Sequence, residues 1–285
     1  MKTQTFLLKS FLCITLFVLA SCTTNNEDGE ESLIAPTLPP EASMVMDFSG
    51  FENTTKPAGN KLSESVDKSN WAYAAVVVGV WHTSLVTTLA VPVASFRTAL
   101  RHQAEYKGDA TWEWAYTVDG FTGQYSARLT GQLVGNEVLW TMYVTRTGIN
   151  AFEEFVWFSG VSKTDGKSGY WLLNHSSDFP EDLLRIDWEV QNEEIGDIKY
   201  TYVRELNNER QVDKFKNSYI NYGLQLGTYD AFYDVYAYDT NSGQFVNADI
   251  EWSRANHLGR VMAEYYFGDT DWRCWDSAGE NQVCP

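Results

Sequence analysis

From Ser69 to Phe96 the chain carries no charged side chain: SNWAYAAVVVGVWHTSLVTTLAVPVASF stands between Lys68 and Arg97. From Thr111 onward the pattern is alternation instead. Trp112, Trp114, Tyr116 and Val118 alternate with Thr111, Glu113, Ala115 and Thr117, and Leu184, Ile186, Trp188 and Val190 with Arg185, Asp187, Glu189 and Gln191. A period of two marks strands buried on one face. About eleven such strands are expected, at 111–118, 124–133, 138–146, 153–162, 169–175, 183–191, 197–205, 218–227, 229–239, 244–253 and 259–267. Turn residues at Val134-Gly135-Asn136, Asp165-Gly166 and Asn241-Ser242-Gly243 join neighbours as hairpins. The expected class is mainly β: an antiparallel meander forming a barrel or a curled sheet, with the apolar run packed in or against it as an N-terminal helix.

Three readings of the apolar run are open. Its length would cross a bilayer, but Asn70, His82, Thr83, Ser84, Thr87, Thr88 and Pro92 are a polar load that lipid tolerates poorly. Two strands, AAVVVGVW and SLVTTLAVPV, fit the Val and Thr content. A buried helix is the reading carried forward. Ser65, Asp67 and Ser69 offer caps, Pro92 kinks or breaks it by opening a second helical segment, and Arg97, Arg101 and His102 bring basic residues to its end. Such a helix, apolar all round, is expected to be covered all round.

Met1–Ser21 has the pattern of an export signal, with Lys2 and Lys9 ahead of the apolar core Phe11–Ala20. Leu19-Ala20-Ser21-Cys22 resembles the lipobox of bacterial lipoproteins. That resemblance implies removal of 1–21, acylation of Cys22, and a membrane tether in which each buried methylene contributes about 0.8 kcal/mol. Residues 22–68 then read as the lipidated Cys with a flexible, acidic, Pro-containing tether, spanning roughly 35–40 Å as a coil, and 69–285 as a single helix-plus-meander domain. Within the tether Met44, Met46 and Phe48 alternate, as in a short strand docked on the domain.

The net charge of −17 becomes −19 once Lys2 and Lys9 leave with the signal. Such acidity argues against nucleic acid as a partner and against lying flat on an anionic leaflet. Of four cysteines, Cys13 departs with the signal and Cys22 carries lipid, which leaves Cys274 and Cys284 to pair as a disulfide worth roughly 2–3 kcal/mol. A zinc site would need more ligands than the C-terminal tail offers.

Catalytic patterns are missing. His82, His102, His175 and His257 are scattered, without a zinc spacing, and there is no nucleophile elbow, phosphate loop or dinucleotide fingerprint. Glu113 between Trp112 and Trp114, and Asp187 and Glu189 around Trp188, suit a sugar-stacking strand with a carboxylate pair. Alternation, however, sets these acids on the face opposite the tryptophans. Asp239-Thr240-Asn241-Ser242-Gly243 reads as a hairpin turn rather than a calcium loop, and Asp269 with Asp271 is weaker still. No enzyme, cofactor or metal is expected.

Leu38-Pro39-Pro40-Glu41-Ala42-Ser43-Met44-Val45-Met46-Asp47-Phe48, the apolar run and the Trp112-Glu113-Trp114 strand together resemble a group of Bacteroidota lipoproteins with no assigned activity. The acidic cluster Glu27, Asp28, Glu30, Glu31 resembles their surface-export signal, or is only a hydrophilic spacer. The order of elements is similar to periplasmic lipoprotein carriers and, more distantly, to lipocalins. The lipocalin Gly-x-Trp signature is misplaced here: Gly79-Val80-Trp81 lies in the apolar run and Gly169-Tyr170-Trp171 falls in mid-meander. What the resemblance implies is a lipoprotein anchored in the outer membrane through Cys22, binding an apolar or amphiphilic ligand inside a barrel-like domain. Trp81, His82, Trp112, Trp114, Trp140 and Trp188 are its candidate contacts. The alternative is a surface glycan-binding or protein-binding scaffold with a solid core.

Overall fold

The computed structural model describes residues 34–52, 67–120 and 123–285. The expected signal at 1–21, the expected lipidation site Cys22 and the acidic cluster lie outside them. One compact unit runs from Ala35 to Pro285.

The alternating segments form one antiparallel sheet in strict chain order: β1 (Glu105–Gly108), β2 (Thr111–Gly120), β3 (Gly123–Val134), β4 (Glu137–Arg146), β5 (Phe152–Lys163), β6 (Ser168–Asn174), β7 (Asp182–Gln191), β8 (Glu194–Tyr202), β9 (Tyr219–Leu224), β10 (Ala231–Asp239), β11 (Gln244–Trp252), β12 (Gly259–Met262), β13 (Arg273–Trp275) and β14 (Asn281–Gln282). All eleven expected strands are present. The short β1, β13 and β14 are additional, and no pairing among the described residues joins the two edges, so the sheet is open rather than a barrel. The last expected strand stops at Met262. Residues Glu264–Phe267 instead make a helical turn that Gly268 closes at φ 82°. The Asn241-Ser242-Gly243 turn forms as read: the Asp239 carboxylate accepts the N–H groups of Asn241 and Ser242, each at 3.1 Å.

After a short turn, α1 (Ser49–Glu52), comes the principal helix, α2 (Ser69–Ala99). Asp67 accepts the Ser69 N–H at 2.9 Å at its start. The helix is not broken at Pro92. One stripe, Ala74, Val78, Leu85, Leu89, Pro92, Phe96 and Ala99, is buried against the sheet on both sides of the proline, and this packing holds the two halves in line although Thr88 loses its helical donor.

The helix is a chord across the sheet. At its start the Asn70 amide donates to the Cys274 carbonyl (3.0 Å) and the Asn70 N–H to Asn281 Oδ1 (3.1 Å), on β13 and β14. Near its end the Tyr116 hydroxyl of β2 donates to the Ser95 carbonyl. From Asn70 to Ser95 the helix rises about 38 Å, whereas β2 and β13, eleven strand spacings apart, would lie about 53 Å apart in a flat sheet. The sheet therefore curls around α2.

Curling brings large rings onto the inner face, and small residues opposite them make room. Trp140 pairs across the ladder with Gly131, Trp171 with Gly160, and Trp275 with Gly259. A Cβ on Gly160 would stand 2.4 Å from the Trp171 ring and 2.4 Å from the Tyr170 carbonyl oxygen. Each indole lies over its partner's backbone.

The domain does not begin at Ser69. Residues from Ala35 pack into it, and Ser43, Met44, Met46, Phe48 and Phe51 are buried. The segment docks as a helical turn (Glu41–Met44) and an extended run rather than as a strand. Ser43 Oγ accepts from Trp171 Nε1 at 3.0 Å, the Tyr200 hydroxyl donates to the Met44 carbonyl (2.8 Å) and accepts the Met46 N–H (2.9 Å), and Arg97 Nε donates to Glu41 at 2.8 Å. The Cys274–Cys284 disulfide is present, with Cα atoms 5.2 Å apart, and secures the strands that hold the start of α2.

Candidate functional site

Two tenants share the inner face of the sheet. The 35–48 segment enters beside Gly166, at the start of β6, and lies along one flank of α2. On the other flank, where β6 ends at Asn174, no segment of the described residues lies, and a groove of about 620 Å³ separates α2 from the strand ends.

Two β-bulges shape it. Across β4 and β5 the pairing passes from Met142 opposite Phe158 to Tyr143 opposite Val156, so Trp157 is an extra residue. Across β6 and β7 it passes from Leu173 opposite Leu184 to Asn174 opposite Asp182, so Leu183 is extra. A bulge turns a side chain out of the regular pleat, and both extra residues line the groove. Buried Leu85, Leu173 and Leu184 form its floor. Val80, Trp81, Thr88 and Val91 wall it from the helix, and Tyr202, Phe215 and Tyr238 from the sheet side.

The hydroxyls on the helix wall are turned inward. Ser84 Oγ donates to the Val80 carbonyl (2.9 Å), Thr87 Oγ1 to Thr83 (3.0 Å) and Thr88 Oγ1 to Ser84 (2.9 Å). Their protons are occupied, so the wall offers carbon and weak acceptors rather than donors. On the sheet side Asn174 Nδ2 donates to the Val156 carbonyl (2.8 Å), and the Tyr202 hydroxyl to Asp213 (2.8 Å). Burial, reinforced by Asp213, pushes the Tyr202 phenol up to about 12. His175 is the exception: its Nδ1 is buried with no hydrogen-bond partner among the described residues. Burial first, and then the Arg204 guanidinium, lower the His175 pKa, so the ring is neutral at pH 7. Arg204 is itself engaged by Glu181 (2.9 Å) and Asn208 (2.6 Å). Lys214 lies 5.3 Å from the Phe215 ring and 5.6 Å from the Tyr238 ring, a cation beside two groove residues.

Of the six candidate contacts read from the sequence, Trp81 lines this groove. His82 points to the other flank of α2, where it stacks on Phe48 at 4.9 Å and borders a smaller cleft of about 350 Å³. Trp112, Trp114, Trp140 and Trp188 are buried structural residues and do not line the groove. Trp140 Nε1 donates to Ser162 Oγ at 2.9 Å, and its ring lies 5.7 Å from that of Trp114. The acids beside these tryptophans face outward as alternation requires, with Glu113 paired to Arg128 (3.4 Å) and Asp187 to Arg185 (2.8 Å). Asp269 and Asp271 form a turn, with Asp269 also paired to Arg273 at 2.6 Å. Among the described residues no group of three or more His, Cys, Asp or Glu side chains is placed to hold a metal ion. Trp157, His175, Leu183 and Tyr202 are groove residues that the sequence reading missed.

No family model matches the chain, and neither a curated protein nor a solved structure matches it.

Proposed function

We propose that this protein is a cell-envelope lipoprotein, acylated at Cys22 and held at the outer membrane, that binds an apolar or amphiphilic molecule in the groove between α2 and the ends of β5–β8. The observation that carries the reading is the groove itself: about 620 Å³, walled largely by aliphatic and aromatic carbon, with His175 Nδ1 buried in its lining and without a hydrogen-bond partner among the described residues. Sites for small ligands occupy roughly 300–1,000 Å³ and combine apolar walls with a few placed polar groups. The hydrocarbon part of the ligand lies over Leu85, Leu173 and Leu184. A hydroxyl or carboxyl at its polar end meets His175, with Lys214 nearby to favour an acidic head group.

Native mass spectrometry of the mature chain after exposure to oleate and phospholipid, followed by extraction and lipid analysis, tests the reading. A bound species of lipid mass is expected in the native protein and is expected to be lost in Ser84→Trp, which places an indole in the groove from an exposed helix position. A lipid-free mass for the native chain would overturn it.

The glycan-binding or scaffold reading has one observation in its favour. On the outer face the half-buried Tyr236 and Phe245 stack one over the other, with ring centroids 4.8 Å apart and planes within 9°, an aromatic pair of the residue types that sugars stack on. Glycan binding that survives Ser84→Trp and is lost in Tyr236→Ala would establish it.

A further inference from the structure

We infer that the uncovered face of α2 rests on the apolar layer of a zwitterionic phospholipid bilayer, so that the groove opens to the leaflet itself. This inference rests on the reading of Cys22 as acylated and of the groove as a lipid site.

The helix is not covered all round, as its composition led us to expect. It is long and apolar enough to cross a membrane by length and composition, yet only 22% of its most apolar window is buried. Val76, Val80, Thr83, Thr87, Ala90 and Ala94 are exposed, and their spacing of three and four keeps them on one face about 27 Å long. Val76 is 65% exposed, Val80 63% and the adjacent Val86 56%. In a chain of which 21% is charged, no charge falls on this helix between Lys68 and Arg97. The hydroxyls on this face are not free to bond water as donors either: Thr83, Ser84, Thr87 and Thr88 all donate to the carbonyl four residues earlier. Removing this face from water therefore leaves few polar groups unsatisfied, which is the condition a surface must meet to enter lipid.

The chain itself says which apolar surface lies within reach. Cys22 stands thirteen residues before Ala35, which spans at most about 45 Å even fully extended, and about half that as a coil. From Ala35 the chain runs directly along α2, bonded to it through Glu41 and Arg97. An acylated Cys22 keeps Ala35, where the segment that docks along α2 begins, within about 45 Å of the leaflet. Charge selects the leaflet type, since −17 for the whole chain, −19 without Lys2 and Lys9, repels anionic lipid and leaves a zwitterionic surface as the match. Finally, Val80 and Thr87 belong both to the exposed face and to the groove wall. A lipid passing from the leaflet into the groove crosses no water on that side.

The test uses the full mature, acylated chain in phosphatidylcholine vesicles. With Cys22 acylated and Cys274 bonded to Cys284, Val76→Cys supplies one free thiol for an environment-sensitive fluorophore. Leu139→Cys, on the opposite face of the sheet between buried Val138 and Trp140, is the reference. Expected is quenching of the position-76 label by brominated phosphatidylcholine and a several-fold lower accessibility to iodide than at position 139. Adding Thr83→Asp and Ala90→Asp is expected to restore iodide access. Equal accessibility at the two positions would overturn the inference, as would the same protection at position 76 in a Cys22→Ser chain in buffer free of both vesicles and detergent, which would assign the face to a second copy of the chain. The two readings fail separately: bound lipid with an accessible label sinks this inference alone, and a buried label on a chain that binds no lipid sinks the groove reading alone.

Discussion

Tyr200→Phe is the sharpest test of where the domain begins. The Tyr200 side chain is wholly buried, and among the described residues its hydroxyl bonds both the Met44 carbonyl, at 2.8 Å, and the Met46 N–H, at 2.9 Å. Burial drives the phenol pKa far above its ordinary value, so it stays protonated and donates at any working pH. Phenylalanine keeps the ring and leaves two backbone groups buried without partners. At about 1–3 kcal/mol for each, the loss is about 2–6 kcal/mol. For a domain of this size a kilocalorie shifts Tm by about 2–4 °C, so a fall of at least about 4 °C, and up to about 24 °C, is expected. Thermal unfolding with the disulfide intact reads this, and limited chymotrypsin digestion should show new cleavage at Phe48 and Phe51. Tyr219→Phe is the comparison: that hydroxyl reaches Asp234 at 3.1 Å on the half-exposed outer face, and its removal is expected to move stability by less than about 1 kcal/mol. A Tyr200→Phe protein that melts with its parent and resists chymotrypsin would show that 35–52 is a bystander and that the domain starts at Ser69 after all.

Further expectations concern the ladder, the acids and the tail. Gly160→Ala should destabilise by about 1–3 kcal/mol, since the new methyl meets the Tyr170 carbonyl as well as a ring and cannot be accommodated by a rotamer change; urea unfolding checks this. Burial, together with Asp234 and Glu251, raises the Asp249 pKa, so the folded state binds this proton more tightly than the unfolded chain. The stability from that proton is present below the ordinary aspartate value and lost as pH rises through the elevated one. Asp249→Asn should therefore raise Tm at pH 7, with the advantage shrinking as pH falls toward the ordinary aspartate value; a pH series of melting curves that stay parallel would contradict it. Cys284→Ser should lower stability by roughly 2–3 kcal/mol in a urea titration and loosen the start of α2, which Asn70 ties to the same tail.

The strands were legible because Trp112, Trp114 and Tyr116, like Leu184, Ile186 and Trp188, differ sharply from the polar residues between them, and because Gly135 and Gly166 mark turns no other residue type makes easily. Edge strands lack that contrast. The four residues of β1 are mostly exposed, and β13 and β14 are too short to show any period. The helix was legible as an element but not in its burial: when most positions are Val, Ala, Thr or Leu, little distinguishes the stripe at Ala74, Val78 and Leu85 from the exposed one at Val76, Val80 and Thr83. The groove was harder still. A bulge has no composition, so Trp157 and Leu183 read as ordinary members of their strands. Trp140 under a ladder and Trp81 beside a groove are the same letter in the sequence.

The helix that spans the sheet also sets a timetable. Asn70 closes its bonds with Cys274 and Asn281, more than two hundred residues downstream. A chain made from its N-terminus presents α2 and the Met44–Phe51 segment early and can seat them only when the last strands arrive. Contacts so distant in sequence form slowly. Until then the charge-free stretch from Ser69 to Phe96 has nothing of its own to rest on, which makes it an obvious client for a holding chaperone and makes loss of the final dozen residues more damaging than their small share of the core would suggest.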